Sequence, residues 1–206
     1  MNEQSLFSDI QIQFHALVGW ELVAVLLAIA YLVLAMKRSL WCWPAAFFST
    51  LIYTMLFWHV ALLMESALNV YYMAMAGYGL WMWQRDKADD GEVHVTRWPI
   101  HHHLIAVFLL SLVAVGTGWL MDNYSSADFA YLDAATTTFA VFTTYLVAAK
   151  VLENWLYWIV IDAVSIYLYS EKGLYLTALL FVFYVVLAVM GYNKWKQAEL
   201  EYAATH

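Results

Sequence analysis

Long apolar stretches separated by short polar connections dominate the chain. A helix that crosses a bilayer needs about 17–25 mostly apolar residues, and seven segments approach that length. They are predicted at residues 16–36, 40–58, 62–83, 101–120, 129–149, 154–170 and 174–194. The clearest interruptions are a hydrophilic segment at 85–99 and a shorter one at 122–128. The pattern predicts an all-α membrane protein of seven transmembrane helices.

The second half of the chain repeats the first, with identities aligned at an offset of 114 residues. Tyr31-Leu32-Val33 recurs as Tyr145-Leu146-Val147, and Gly77, Tyr78 and Trp81 recur as Gly191, Tyr192 and Trp195. The fourth predicted helix has no counterpart, so both triples enter the membrane in the same sense. We therefore expect two parallel three-helix repeats around an axis along the membrane normal. The expected parts are 1–84, a loop and linker helix at 85–122, and 123–206.

Basic residues predict the orientation of the seven helices. Only Lys172 falls on one side. The other side carries Lys37, Arg38, Arg85, Lys87, Arg97, Lys150, Lys194 and Lys196. Because positive charge accumulates on the cytoplasmic side, the N-terminus is expected outside and the C-terminus in the cytoplasm.

Composition and motifs exclude several classes of function. The chain is 65% hydrophobic and 12% charged, unlike a soluble domain. Its net charge of -7 argues against nucleic-acid binding. Neither a phosphate-binding loop nor a metalloprotease or triad motif occurs, so no enzyme or cofactor is expected. His101–His103 lies where the fourth helix meets the membrane surface, and we interpret it as interfacial rather than as a metal site.

The sixth predicted helix is the strongest candidate for a binding surface. Spacings of three and four residues place Trp155, Trp158 and Asp162 on one face. A carboxylate at membrane depth needs a partner or a wet cavity, and indole faces attract cations. The face therefore predicts a slot for a flat cationic ring. An interfacial aromatic belt is the alternative. It suits Trp155, suits Trp158 less well, and leaves Asp162 unexplained.

Other candidates lie on the second, third and fifth helices. Asn69 needs a hydrogen-bond partner at its depth, and both helix-to-helix bonding and ligand contact stay open. Trp43 and Tyr72 complete the predicted substrate set, and no metal ligand is predicted. Asp133, near the start of the fifth helix, is a weak candidate for which helix capping is the alternative.

Four motifs carry a resemblance to a known family. They are Trp-x-Trp-Pro at 41–44, Tyr-Gly-x-x-x-Trp at 78–83, Glu-Asn-Trp-x-x-Trp at 153–158 and Lys-Gly-Leu-Tyr at 172–175. Together they resemble the PnuC family of bacterial vitamin transporters, over nearly the whole chain. The resemblance implies a fold similar to the SWEET sugar transporters, with Trp155 and Trp158 as stacking residues. It also implies facilitated diffusion of an unphosphorylated vitamin through the inner membrane, trapping by a cytoplasmic kinase, and allows a homotrimer.

Two positions depart from the nicotinamide riboside carriers of that family. Their residue at the position of Asp162 is typically asparagine, and at Asn69 typically glutamine. A carboxylate only accepts hydrogen bonds, which suits the amino group on the pyrimidine of thiamine, although ribose hydroxyls could also donate. Thiamine is therefore the expected substrate, nicotinamide riboside is the alternative, and a non-transporting membrane receptor is a third interpretation.

Overall fold

The computed structural model describes residues 3–59, 63–90, 93–125, 129–172 and 175–205. These residues form seven helices, as the sequence predicts. The helices are α1 (Glu3–Met36), α2 (Cys42–His59), α3 (Leu63–Asp90), α4 (Ile100–Tyr124), α5 (Ala130–Ala148), α6 (Asn154–Glu171) and α7 (Tyr175–Thr205). Gly173 and Leu174 of the Lys-Gly-Leu-Tyr motif lie outside the described residues.

Several helices extend beyond their predicted spans. The acidic and basic residues that follow Trp83 continue α3 to Asp90 instead of starting a loop, so the predicted loop boundary at residue 85 is wrong. Similarly, α4 continues to Tyr124, which makes the first part of the predicted 122–128 connection helical. Charged residues tolerate a helix well when it projects past the apolar layer into water. The change from apolar to polar residues therefore marked where the apolar segment ends, and the helix continues beyond it.

Within the described part of the chain, three segments are long and apolar enough to cross a membrane on length and composition alone. They are Gly19–Met36, Ile100–Tyr124 and Ala178–Ala204. The remaining helices contain more aromatic and polar residues, which lower their mean hydropathy. Of the seven predicted spans, those of α1, α4 and α7 thus meet this criterion of helix length and composition.

The chain divides into two compact units, Met1–Trp81 and Met82–His206. In the first unit α1 packs on α2. The Ser49 hydroxyl donates to the backbone oxygen of Ala24 at 2.8 Å, which ties the two helices together. The ring of Trp43 is fully buried and covers Gly79 of α3.

In the second unit α5 packs on both α4 and α6, and α6 packs on α7. The segment before α4 runs beside the turn between α5 and α6. The amide of Thr96 donates to the oxygen of Lys150 at 2.9 Å, and the amide of Leu152 donates to the oxygen of Thr96 at 2.8 Å. Ion pairs join Lys150 to Asp86 and Arg97 to Glu199. The connection into α4 is therefore fixed to the second unit.

The helix bounds repeat at an offset of 112 residues, not the 114 predicted from residue identities. Ala148 and Asn154 lie 112 residues after Met36 and Cys42, which are the matching helix ends. Arg38 and Lys150, also 112 apart, both take positive φ values, 55° and 60°, in the turn after the first helix of each set. The predicted register is wrong by two residues.

Two glycine–tryptophan contacts show the same 112-residue register. A Cβ at Gly79 would overlap the ring of Trp43, and a Cβ at Gly191 would lie 2.6 Å from the ring of Trp155. In each unit the missing side chain lets a buried indole lie against the neighbouring helix. Two helices thus approach closely at equivalent points of the two units.

Candidate functional site

Helix α6 carries the predicted substrate face. It begins after the Lys150 turn, and its first residue, Asn154, is buried with its side-chain amide donating to the oxygen of Val151 at 2.6 Å. This bond satisfies a backbone carbonyl of the turn and fixes how the helix starts. The 3.6-residue period then places Trp155, Trp158 and Asp162 on one side of α6.

Trp155 is a packed residue. Its side chain is 2% exposed, lies against Gly191, and meets the ring of Trp195 edge to face at a centroid distance of 5.5 Å. Its indole N–H has no acceptor among the described residues, so a water or a substrate oxygen could bond it there. The packing itself favours a structural role for the ring.

Trp158 and Asp162 have different surroundings. Trp158 is half-buried, so part of its ring is open to a ligand. Asp162 is only 5% exposed. No hydrogen bond or ion pair joins it to another residue in the described part of the chain. A buried carboxylate without a partner is costly, so this position calls for water or for a cationic or donating ligand.

The 112-residue offset shows which residues of this α6 face have a like residue at the equivalent position of α2 and which do not. At the 112-residue offset, Trp155 corresponds to Trp43, and both rings are buried against a glycine. Trp158 and Asp162 correspond instead to Ala46 and Thr50, and the Thr50 hydroxyl donates to the oxygen of Ala46 at 2.9 Å. The packing tryptophan is common to both units, whereas the indole–carboxylate pair occurs in only one.

The first unit holds the other predicted substrate residues. Trp43 is 1% exposed and therefore occupies a packing position. The side-chain amide of Asn69 donates to the oxygen of Glu65 at 2.8 Å, within its own helix. This local bond is neither of the two partners considered from sequence. Tyr72 is half-buried, with its ring 5.6 Å from that of Tyr71.

The capping interpretation of Asp133 is wrong. Helix α5 has no side-chain cap, and the Asp133 carboxylate instead accepts from the Lys172 ammonium at 3.1 Å. The lone basic residue on its predicted side of the membrane is thereby paired. The ion pair joins the start of α5 to the end of α6, and this structural role accounts for Asp133 without a ligand.

The sequence reasoning missed a polar cluster beside the start of α6. Nδ1 of His103 lies 3.1 Å from the Tyr157 hydroxyl, and Nε2 lies 3.7 Å from a Glu153 carboxylate oxygen. Glu153 also accepts from the amide of Trp98 at 3.4 Å. The adjacent acid and aromatic residues of the Glu-Asn-Trp motif were the available signal. The cluster joins α4 to α6.

A cavity of about 460 Å³ lies on the opposite side of α6 from the predicted substrate face. Its α6 lining includes Tyr157, Val160 and Ile161, and its walls are mainly apolar. Trp158 and Asp162 do not line it. The cavity is therefore a feature separate from the indole–carboxylate pair.

Comparison with known proteins decides the family. The family model described as nicotinamide mononucleotide transporter matches residues 18–197. The chain belongs to this family. The match confirms the resemblance to PnuC proteins, and the relatives are transporters, as expected, rather than enzymes.

Two curated relatives show the breadth of this transporter family. The riboflavin/roseoflavin transporter RibM of Streptomyces davaonensis is 30% identical over 196 residues, covering 92% of this chain and 91% of the relative. The nicotinamide riboside transporter PnuC of Escherichia coli is 20% identical over 169 residues, covering 70% and 71%. These two relatives therefore carry chemically different vitamins.

A solved structure shares the fold of this family member. The crystal structure of the vitamin B3 transporter PnuC matches with a TM-score of 0.71 and 21% identity, covering 95% of this chain and 88% of the solved one. At that identity the match speaks for the fold. It agrees with the all-helical architecture predicted from the apolar pattern.

Proposed function

We propose that the chain is a facilitative uptake transporter for an unphosphorylated vitamin, with nicotinamide riboside as the first candidate. The observation that carries this proposal is the buried Asp162, which has no partner among the described residues and lies one helical turn from the half-buried Trp158. An indole face and a carboxylate together favour a flat aromatic cation. Nicotinamide riboside has a cationic pyridinium ring and ribose hydroxyls that can donate to a carboxylate.

Riboflavin is the second candidate, favoured by the similarity to RibM over most of both chains. Its ring system is neutral, so it makes no use of the charge of Asp162. Thiamine, the substrate first expected from sequence, is also cationic, but neither curated relative described above is named as a thiamine transporter. We therefore place nicotinamide riboside before thiamine.

The architecture of the transport cycle belongs to the same proposal. We infer two parallel three-helix repeats, 1–84 and 123–206. The segment 85–122, which contains the linker helix, joins them. The matching helix bounds at the 112-residue offset support it. Asn69, Trp43 and Tyr72 of the first repeat stay predicted substrate residues, with Trp43 in a packing position. We further propose residence in the bacterial inner membrane with a cytoplasmic C-terminus, a cytoplasmic vitamin kinase that traps the product, and a homotrimeric assembly.

A matched pair of ligands tests the role of charge. Oxidised nicotinamide riboside is a cation, whereas its dihydro form is neutral and nearly the same size. Calorimetric titration of the purified protein should show preferential binding of the cation. Asp162→Asn restores the amide typical of nicotinamide riboside carriers. It should keep binding but reduce the preference by about tenfold or more.

Two results would contradict the substrate assignment. Binding of riboflavin without measurable binding of either riboside would favour the second candidate. An unchanged preference for the cation in a well-folded Asp162→Asn protein would remove Asp162 from the site. A thiamine titration in the same series separates the two cationic vitamins directly.

A further inference from the structure

A groove of about 730 Å³ runs along α4 within the second unit. Arg97, Trp98 and His102 line one end of it. Ile105, Leu109 and Phe142 line it farther along. With a rise of 1.5 Å per residue, the stretch from Pro99 to Leu110 covers about 16 Å, close to half of a hydrocarbon core of about 30 Å. The groove therefore has one polar end and the length of a single lipid leaflet.

The position of α4 places the polar end at a bilayer surface. Residues Ile100–Tyr124 form one of the three candidate membrane spans, and only 11% of that span is buried within the protein. Most of its apolar side chains are therefore available to lipid. Trp98 and Pro99 immediately precede the span, where tryptophan commonly marks the level of the lipid headgroups.

The charged residue at that end can accept a second partner. The Glu199 carboxylate engages Nε and Nη2 of Arg97 at 2.5 and 2.7 Å and raises the pKa of the guanidinium above its usual value. The Nη1 group takes no part in this pair, and the Arg97 side chain is 44% exposed. A guanidinium held as a fixed cation is suited to a phosphate oxygen.

The neighbouring aromatic rings hold the polar end in shape. The ring of Trp98 lies 5.7 Å from that of His102 and 6.0 Å from that of Phe142. The backbone amide of Trp98 donates to Glu153. The indole is thus fixed from both α4 and α5, so the polar end is preformed.

We propose that this groove is a binding site for an anionic phospholipid. One acyl chain lies along Ile105, Leu109 and Phe142, and the phosphate takes the free donors of Arg97 beside Trp98 and His102. A soluble anion would use the polar end but leave the apolar length unfilled. The length, the apolar lining and the single cation at the surface favour a lipid.

The test uses the delipidated full-length protein in detergent. Phosphatidylglycerol and phosphatidylcholine with identical acyl chains are titrated while thermal unfolding is followed, and native mass spectrometry counts bound lipids. Phosphatidylglycerol should raise the melting temperature at lower concentration. Arg97→Gln should raise its half-maximal concentration about fivefold, in line with the loss of one surface cation, and leave phosphatidylcholine unaffected.

Two further variants separate this site from a general structural effect. Glu199→Gln frees the guanidinium and should strengthen the preference for phosphatidylglycerol, whereas loss of a merely structural ion pair would not. Ala106→Phe fills the groove and should abolish the preference. Val115→Phe, on the exposed surface of the same helix outside the groove, is its control.

Three outcomes would overturn the proposal. The first is an equal response of the wild-type protein to both lipids. The second is an equal loss of preference in the Ala106→Phe and Val115→Phe variants. The third is a smaller oligomer in Ala106→Phe without any change in bound lipid, which would assign the groove to a second copy of the chain. If Ala106→Phe does not fold, the opposite shifts of Arg97→Gln and Glu199→Gln decide alone.

Discussion

Trp155 and Trp158, three residues apart on α6, differ in what surrounds them. Trp155 is enclosed by Gly191 and Trp195, and its counterpart Trp43 lies against Gly79. Trp158 keeps an open part of its ring, and its counterpart is Ala46. A residue needed to hold a repeat together is expected in both copies. A residue needed by an asymmetric ligand is expected in one.

These surroundings predict opposite consequences for the two indoles. Trp158→Ala should weaken binding of a cationic vitamin by about thirtyfold, the equivalent of a cation–π contact of about 2 kcal/mol, with little change in melting temperature. Trp155→Ala leaves a large cavity and should destabilise the protein by about 3–5 kcal/mol. Calorimetric titration and thermal unfolding of both purified variants distinguish the roles. A folded Trp155→Ala protein that melts normally but does not bind would return Trp155 to the substrate site.

The sequence predicted which residues share the substrate face of α6, but it did not predict which of them are buried. Helical periodicity alone places Trp155, Trp158 and Asp162 together, because that geometry is local. Which indole is buried depends on Gly191, 36 residues away on another helix. The hydrogen bond from Asn69 to Glu65 was equally hard to predict, since a half-buried amide can bond to its own helix backbone or to a partner on another helix.

At the scale of helices, the two-residue error in the repeat register also arose because burial depends on contacts between helices. Trp81 and Trp83 both offer an indole near the end of α3, and identity of residue type selected Trp81 as the partner of Trp195. The structure leaves Trp81 54% exposed and buries Trp83, whose N–H donates to the oxygen of Ala148 at 3.1 Å. Burial follows the helix contact rather than the residue type, so the helix ends gave the correct offset.

The close helix contacts at Gly79 and Gly191 predict a clear stability difference. Gly79→Ala and Gly191→Ala should each destabilise the protein by about 1–3 kcal/mol, because the added methyl group overlaps a buried indole that cannot move far. Gly77, on the same helix as Gly79, has no atom near its would-be Cβ. Gly77→Ala should therefore be neutral or stabilising by up to about 1 kcal/mol, through helix propensity.

Thermal unfolding in detergent compares these three variants. Equal melting temperatures for Gly77→Ala and Gly79→Ala would show that the indole–glycine contact contributes little. Equal destabilisation by all three would point instead to a general intolerance of alanine in these helices. A fall in melting temperature confined to Gly79→Ala and Gly191→Ala would support the correspondence of these two glycines at the 112-residue offset.

At the scale of the whole molecule, the two repeats share equivalent helix positions, but a buried carboxylate at the position of Asp162 occurs in only one of them. The ends of α1 and α5 and the starts of α2 and α6 match at the 112-residue offset, yet the buried carboxylate of Asp162 has Thr50 as its counterpart. In the proposed transport cycle, two like halves exchange roles, and the shared packing residues would serve both halves. A substrate that must be held in one orientation is served by the residues that differ.

This arrangement predicts flux that follows the vitamin gradient alone. Among the residues with described burial, Asp162 is the one buried acid. It can neutralise a cationic substrate, whereas a driven cycle would need a second site for the coupling ion. Liposomes that contain the purified protein should exchange labelled nicotinamide riboside without ATP or an ion gradient, and Asp162→Asn should slow the exchange without changing its end point. Accumulation that tracks an imposed proton gradient in the wild type and is lost in Asp162→Asn would contradict this. In that case Asp162 would carry the proton. Coupling, rather than the charge of the vitamin, would then explain a buried carboxylate that has no partner among the described residues.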